Sequence, residues 1–202
     1  MNIIGIVGSV ASGKGVVTEY LIKKYGYTSF SLSSLVHDEL KKRGITTFTR
    51  STLQDIGDEL RKKEGDDVLA KMAIKKLPTS PRLRGASKIQ KIIIEGIRNP
   101  GEVVYLRTIP GFFLISVDAP QKIRYERVIK RGKPWDPKSW EEFLQVDKRD
   151  NKDNKHTNGQ QVRECMKLAD VHLRNDSDIM HFHEAIKEVL VRPSSPTHGP
   201  PV

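Results

Sequence analysis

Short apolar runs alternate with longer amphipathic stretches along the chain. The runs NIIGIVG, YTSFSL, KIIIEG, GFFLISVDAP and ADVHLRN have the length and composition of buried strands. Between them, apolar residues recur three and four positions apart, which is typical of helices packed on one face. Strands that alternate with helices predict a parallel sheet covered on both faces. We therefore expect a three-layer α/β/α domain with a five-stranded parallel sheet.

The domain is expected to cover residues 1–191. Helical patterns follow one another between the second and third predicted strands, so an all-helical excursion is expected at about 33–80. The last segment, RPSSPTHGPPV at 192–202, is rich in proline and cannot bury a core, which predicts a disordered tail.

Composition limits the classes of protein that fit. With 202 residues, of which 37% are hydrophobic and 30% charged, the chain can form one domain with a core. Its apolar runs are far shorter than the ~20 residues of a membrane span, and its start lacks the basic flank of a signal peptide. Cys165 is the single cysteine, which excludes an internal disulfide and a zinc site built on several thiolates. A cytoplasmic protein without a membrane partner is expected.

The net charge of +10 suits nucleic acid, an anionic membrane surface or a small polyphosphate ligand. Stretches such as LRKKEGDD mix both signs of charge, as solvated helix faces do. The basic, aromatic-rich sheet pattern that stacks bases is missing from the sequence. A polyphosphate ligand is therefore favoured over nucleic acid.

The first strand runs directly into the loop GSVASGKG at positions 8–15. Glycines in a GxxxxGK frame let successive backbone N–H groups face a phosphate, while Lys14 adds a point charge and the next helix adds its positive dipole end. Such loops usually continue with Ser or Thr, which holds Mg²⁺, whereas Gly15 stands here. The residues expected around the nucleotide phosphates are Gly8, Ser9, Val10, Ala11, Ser12, Gly13, Lys14, Gly15 and Val16.

This glycine after the lysine resembles nucleoside monophosphate kinases of the adenylate kinase type, whose loop has GKG. The resemblance implies ATP as the phosphoryl donor and Mg²⁺ held largely through water, with no direct protein ligand. Val16 departs from the family, which often has Thr at this position. Thr18 lies two positions further on and is not expected to replace it.

The stretch KIIIEGIR is similar to the third strand of that family. The resemblance implies that Glu95 orients the water shell of the metal and that Arg98 holds the phosphate of the acceptor. The alternative for Glu95 is a carboxylate that caps the loop after the strand.

The stretch SVDAPQKIRYERVIKRG resembles the fourth strand and the helix that leads into the lid. Arg124, Arg127 and Arg131 share one stripe of this helix and repel one another unless anions lie close by. The resemblance implies that Arg127 lies near the ATP base or phosphates and that Arg131 contacts the transferred phosphoryl group. For Arg124 and Arg131, a solvated charge is the alternative.

The lid is expected at about 132–150. The resemblance implies that Arg149 reaches the phosphates when this lid closes.

Three further stretches, FSLSSLVHDELKKRG, RSTLQDIGDELRKKEGDDVLA and EGIRNPGEVVYLR, resemble a group of prokaryotic P-loop kinases related to adenylate, deoxynucleotide and dephospho-CoA kinases. This similarity covers about residues 1–190. It places Ser34 near the start of the acceptor helix and makes Arg61 a candidate phosphate ligand, with a surface charge as the alternative for Arg61.

The predicted function is transfer of the ATP γ-phosphoryl group to a nucleoside or deoxynucleoside monophosphate, with Lys14, Glu95 and Arg131 as catalytic residues. Such kinases position two phosphates in line and exclude water, so no covalent nucleophile is expected. One alternative is a dephospho-CoA kinase-like enzyme, although its loop normally reads GKS and its second strand ends in an Asp-rich turn. The other is a nucleotide-binding regulatory module without turnover. A monomer and a homodimer both fit the sequence.

Overall fold

The sheet has the architecture that the hydrophobic pattern predicts. The computed structural model describes residues 2–77, 91–151 and 159–191. Within these ranges the strands are β1 (Ile3–Val7), β2 (Thr28–Ser31), β3 (Ile92–Glu95), β4 (Phe112–Asp118) and β5 (Val171–Arg174). All neighbouring strands pair in parallel, in the order β2-β3-β1-β4-β5. The predicted five-stranded parallel sheet is confirmed.

Helices connect these strands. In the same ranges they are α1 (Lys14–Tyr25), α2 (Leu32–Lys42), α3 (Arg50–Glu64), α4 (Val68–Lys76), α5 (Pro100–Arg107), α6 (Gln121–Arg131), α7 (Trp140–Asn151), α8 (Val162–Lys167) and α9 (Ile179–Val191). Periodicity did not predict α5 and α8, because eight and six residues are too short to show it. A local signal for α5 does exist: Asn99 caps it, Pro100 takes its first position and Glu102 closes a capping box.

Two apolar clusters cover the two faces of the sheet. Successive side chains of a strand point to opposite faces, so Ile93 and Ile94 belong to different clusters. The cluster that contains Ile94 extends into α2, α3, α4, α5 and α8, and it includes Cys165. The cluster that contains Ile93 extends into α1 and α9. This arrangement confirms the three-layer fold.

The strand order decides where a ligand can bind. Because β1 pairs with β3 on one side and β4 on the other, the loop after β1 emerges between the carboxyl ends of both neighbours. In open parallel sheets, ligands bind outside these carboxyl ends. The GxxxxGK loop therefore lies at the expected edge of the sheet.

Two further regions flank that edge. α2, α3 and α4 follow one another between β2 and β3, where the helical excursion is predicted. α7 occupies most of the predicted lid and buries Phe143, Asp147 and Asp150. Residues 78–90 and 152–158 and the predicted tail lie outside the described residues, so the domain limits stay a prediction. In the described ranges, no helix is long and apolar enough to cross a membrane.

Candidate active site

The loop between β1 and α1 turns tightly and is fastened to the end of β5. Ala11 has a φ of 57° and Gly13 a φ of 107°, both in the left-handed region. A Cβ at Gly13 would lie 1.8 Å from Nδ2 of Asn175, so only glycine fits there. The same Nδ2 donates to the carbonyl oxygen of Ser12 at 2.9 Å. Left-handed backbone at a non-glycine residue is costly and concentrates at functional sites.

Lys14 lies inside the curve of this loop. Its Nζ donates to the carbonyl oxygens of Gly8 at 2.6 Å and Ser9 at 2.8 Å. Burial, together with the charge of Arg98, lowers the pKa of Lys14 to about 7, although Asp150 acts in the opposite direction. A polyphosphate in the loop would restore the charged form, because a nearby anion stabilises the ammonium group.

The hydroxyl groups of the loop are consistent with an anion site. The Oγ of Ser12 is buried and has no hydrogen-bond partner in the described part of the chain. Thr18 donates to the carbonyl oxygen of Lys14 within α1 and so does not replace a hydroxyl at Gly15. Val16 packs against the cluster of α1 and α9.

A cleft of about 650 Å³ opens above the loop. It brings together seven predicted nucleotide-binding residues at 10–16 with four other predicted site residues, namely Glu95, Arg98, Arg127 and Arg131. Six more lining residues are not among the predicted ones, namely Glu19, Ser31, Ser33, Arg50, Gly96 and Lys133. The cleft therefore joins the loop to the carboxyl end of β3 and to α3 and α6.

The donor atoms of the cleft fit a magnesium ion held through water. Among its described lining residues, the carboxylates are Glu19 and Glu95. No group of three or more His, Cys, Asp or Glu side chains in the described ranges could hold a metal ion by itself. Mg²⁺ usually keeps several waters and binds one or two carboxylates together with substrate phosphates. Glu95 at the end of β3 can supply such a carboxylate.

Two arginines form the wall opposite the loop. Arg98 follows β3 and Arg50 is the first residue of α3, and both reach the carboxylate of Asp150. The distances to its Oδ2 are 3.0 Å from Nη1 of Arg98 and 3.4 Å from Nη2 of Arg50. Nη1 of Arg98 also donates to Oε1 of Gln160 at 2.9 Å. One carboxylate thus orients two guanidinium groups, and this wall keeps an excess of positive charge.

The electrostatics of this wall favour a further anion. Burial and the neighbouring Arg98 lower the pKa of Arg50 to about 10. Burial alone would raise the pKa of Asp150, but Arg98 and Arg50 outweigh it and hold that pKa below its usual range. The Nε of Arg50 is buried without a hydrogen-bond partner in the described ranges.

Arg50 and Asp150 are residues that the sequence reasoning missed. A signal for Arg50 existed, since an arginine in the first turn of a helix faces the positive end of the helix dipole. Such a mismatch indicates an anionic partner. Asp150 offered no comparable signal, because its partners lie about 50 and 100 residues away in the sequence.

Two predicted acceptor residues are placed differently from the expectation. The side chain of Arg61 is 1% exposed, so the surface-charge alternative is wrong, and its Nε and Nη2 donate to Glu102. Its charge is therefore matched inside the protein. Ser34 is exposed and donates to the carbonyl oxygen of Ser31, whereas Ser33 lines the cleft. Ser33 replaces Ser34 as the serine at this wall.

The arginine stripe of α6 carries its own anions at two of its three positions. Arg124 forms a buried ion pair with Asp147, with 2.9 Å between Nη2 and Oδ2. Arg131 binds Asp136 through Nε at 2.6 Å and Nη2 at 2.7 Å. The expectation that a ligand must relieve the repulsion is thereby corrected, because protein carboxylates already do so.

Arg127 is held differently from the other two arginines of α6. It donates to the carbonyl oxygen of Ser12 at 3.4 Å and to Oδ1 of Asn175 at 3.2 Å. Its described hydrogen-bond acceptors are uncharged, and burial lowers its pKa. It therefore faces the cleft with its charge unmatched by these contacts.

Arg149 contacts the helical excursion in this structure. Its Nη2 donates to Asp55 at 2.7 Å and Asp58 at 2.9 Å, and its Nη1 donates to Ser51 at 3.1 Å. All three partners belong to α3. Arg149 thus fastens α7 to the helical excursion, and its contact with the phosphates on lid closure stays a prediction.

Comparison with known proteins places the chain in a family. A family model described as an AAA domain matches residues 4–154. A UPF0200 protein of Pyrococcus horikoshii is 32% identical over 192 residues, which cover 93% of this chain and 95% of the relative. A UPF0200 protein of Thermococcus sibiricus is also 32% identical, over 94% of each chain. The chain belongs to the AAA domain and UPF0200 families.

Solved structures agree with this UPF0200 chain in fold. A shikimate kinase from Bacteroides thetaiotaomicron has a TM-score of 0.56 at 13% identity, over 94% of this chain and 98% of its own. A gluconokinase from Sinorhizobium meliloti has a TM-score of 0.54 at 13% identity, over 94% and 91%. Such low identity shows the fold alone, so the P-loop kinase fold is confirmed, whereas the nucleoside monophosphate kinase assignment stays a prediction.

Proposed function

We propose that this UPF0200 protein transfers the γ-phosphoryl group of ATP, with Mg²⁺, to a nucleoside or deoxynucleoside monophosphate. The observation that carries the proposal is that Lys14, Glu95 and the pair Arg50 and Arg98 line one cleft. This combination offers a phosphate loop, a carboxylate for the metal and a second anion site within one space. A kinase with an anionic acceptor needs all three.

The loop wall binds the donor. Backbone N–H groups and Lys14 hold the β- and γ-phosphates, and the dipole of α1 adds to their field. Arg127 and Arg131 line the same cleft and stabilise the charge on the transferred group. Bound Mg²⁺ would neutralise phosphate charge, and Glu95 would orient its water shell.

The opposite wall binds the acceptor. Asp150 orients both Arg50 and Arg98, and among the described residues it is the one carboxylate that forms an ion pair with each of them. Guanidinium forks suit a phosphate, which accepts two parallel hydrogen bonds. Arg61 is assigned a supporting role, since Glu102 and Asp58 engage its guanidinium group.

The proposed nucleophile is an oxygen that is already ionised. A neutral hydroxyl acceptor needs a general base within hydrogen-bond reach. β2 ends in Ser31 and is followed by Leu32 and Ser33, so no carboxylate stands at that strand end. A monophosphate needs no base: its oxygen attacks the γ-phosphorus in line while the bond to the bridging oxygen breaks and ADP leaves.

The test is ADP formation across a panel of acceptors. Nucleoside and deoxynucleoside monophosphates, dephospho-CoA, shikimate and gluconate are each supplied with ATP and Mg²⁺, and Lys14→Ala purified in parallel controls for contaminating kinases. We expect turnover with at least one monophosphate and its loss on chelation of the metal.

Other outcomes of the panel identify the alternatives. Turnover with dephospho-CoA alone supports the dephospho-CoA kinase-like enzyme. Turnover with shikimate or gluconate alone contradicts the ionised nucleophile. ATP binding without turnover on any acceptor supports the regulatory module.

A further inference from the structure

A second, smaller cavity lies behind the acceptor wall. Its volume is about 110 Å³, and it shares Ser33, Arg50, Gly96, Arg98 and Lys133 with the main cleft. The two spaces therefore adjoin each other at Arg50 and Arg98, so a molecule whose phosphate contacts these arginines has its remaining part next to this cavity. The space lies between α2 and α3.

The lining of this cavity combines apolar and amide groups with His37 and with the cationic side chains of Arg50, Arg61, Arg98 and Lys133. Leu53 and Leu69 contribute apolar surface, and the indole of Trp135 is held by stacking on Phe48 at 5.6 Å between ring centroids. Gln54 is fixed by donation to Oδ1 of Asp150 at 2.6 Å. A flat apolar wall beside fixed amides suits a planar heterocyclic ring, which has apolar faces and polar edges.

Gly57 also lines the cavity, in the middle of α3. Alanine is favoured over glycine inside helices, so this position weakens α3. A Cβ here would lie 3.4 Å from Nη1 of Arg61 and 3.9 Å from Cγ2 of Val36, which are ordinary contact distances. Neither packing nor backbone conformation requires the glycine. What it provides is space in the cavity.

The volume limits what can enter. A cavity of about 150 Å³ lined by apolar side chains holds one benzene ring. A cavity of about 110 Å³ that opens on one side therefore suits a single ring better than a fused double ring.

We infer that this cavity receives the base of a pyrimidine nucleoside monophosphate and that Gly57 determines the size of base accepted. The inference rests on the proposed function for the position of the phosphate at Arg50 and Arg98. The ring enters between α2 and α3, while the sugar stays in the wider cleft.

The experiment compares Gly57→Ala with wild type on UMP, CMP, dTMP, AMP and GMP. In wild type, we expect kcat/KM for the best pyrimidine to exceed that for either purine at least tenfold. In Gly57→Ala, the KM for that pyrimidine rises about tenfold, the Kd for ATP is unchanged, and the Tm is equal or higher because alanine strengthens the helix. A glycine with a merely structural role would give a lower Tm instead. Lys62→Ala, at an exposed position of the same helix, is the matched control and leaves all three quantities unchanged.

Calorimetric titration of each monophosphate without turnover separates this inference from the proposed function. If no acceptor is phosphorylated but pyrimidine monophosphates bind and Gly57→Ala weakens them, the size inference stands and the kinase proposal fails. If monophosphates are phosphorylated but purines match pyrimidines, or Gly57→Ala leaves the pyrimidine KM unchanged, the kinase proposal stands and this inference is overturned.

Discussion

The two walls of the cleft are built in different ways. The loop wall is one contiguous segment at positions 8–16, whose donors are backbone N–H groups and one lysine. The acceptor wall collects side chains from three distant places: the first turn of α3, the end of β3 and the last turn of α7. A wall made of backbone depends on local sequence, whereas a wall made of side chains depends on how the chain folds back on itself.

α7 touches both walls through adjacent residues. Asn151 accepts a hydrogen bond from Oγ of Ser9 at 3.0 Å on the loop side. Asp150 orients Arg50 and Arg98 on the acceptor side. The same helix therefore holds the two walls at a fixed distance, and changes in it can show how independent the walls are.

The largest expected effect comes from removing Lys14 from the loop wall. Lys14→Ala should lower kcat by about 10²- to 10³-fold, because it removes a charge that stabilises the transferred phosphoryl group. Acceptor binding should change less than twofold. Steady-state kinetics and calorimetric titration of the acceptor measure the two effects. Equal losses of turnover and acceptor affinity would show that the walls act as one unit.

Arg131 tests the loop wall from the side of α6. Arg131→Ala should lower kcat about 10²-fold, the scale of losing one preorganised charge, while the Kd for ATP changes much less. Arg131→Lys should recover little, since an ammonium group lacks the paired geometry of the guanidinium fork. Kinetics beside a direct ATP titration give both quantities, and an unchanged kcat in the alanine variant would leave Arg131 as no more than a partner of Asp136.

Two neighbouring carboxylates of α7 allow a sharper comparison of the walls. Asp150→Asn should raise the acceptor KM about tenfold and change the Kd for ATP much less, because Arg50, Arg98 and Gln54 all contact this carboxylate, whereas Lys14 only feels its charge. Asp147→Asn should instead raise the Kd for ATP and leave the acceptor KM nearly unchanged. Asp147 holds Arg124, which donates to the carbonyl oxygen of Val10 in the loop.

Both variants break a buried ion pair, and each should lower the free energy of unfolding by about 3 kcal/mol. If the two variants lose equal free energy of unfolding but differ in which substrate they bind more weakly, the kinetic effects reflect the position of each carboxylate and not a general loss of stability. If both substitutions weakened ATP and acceptor equally, α7 would act as a general support without distinct sides.

The smallest expected effect is the uptake of a proton by Lys14 when ATP binds. In the ligand-free protein the pKa of Lys14 is lowered to about 7, and ATP should raise it again. Binding at pH 8 should then take up nearly one proton, and ATP affinity should fall about fivefold between pH 7 and pH 8. Calorimetry in buffers of different ionisation enthalpy measures this uptake, which Lys14→Met should abolish. Uptake that persists in that variant would assign the proton to another group.

The same contrast explains which features the sequence predicted. Isolated apolar runs such as KIIIEG specify strands, and the frame from Gly8 to Lys14 specifies a phosphate loop, because neighbouring residues supply all of the signal. The fold was predictable for that reason. The ion pairs of Arg61 and Arg149 were not predictable, because their partners, Glu102 on α5 and Asp55 on α3, lie about 40 and 95 residues away. Periodicity shows that an arginine lies on a helix, but it does not show which carboxylate the fold brings to it.

Cys165 lies in the apolar cluster that also contains Val103, Leu106 and Leu114, on the face of the sheet that carries the helical excursion. Burial, reinforced by the charge of Glu102, raises the pKa of its thiol. A disulfide reagent that releases a coloured product can react with this sulfur only after the surrounding layer has opened. Because the chain has a single cysteine, the rate of colour formation reports how often that layer opens. A monophosphate bound between α2 and α3 should lower the rate at which the Cys165 thiol reacts, and the measurement needs no label introduced beforehand.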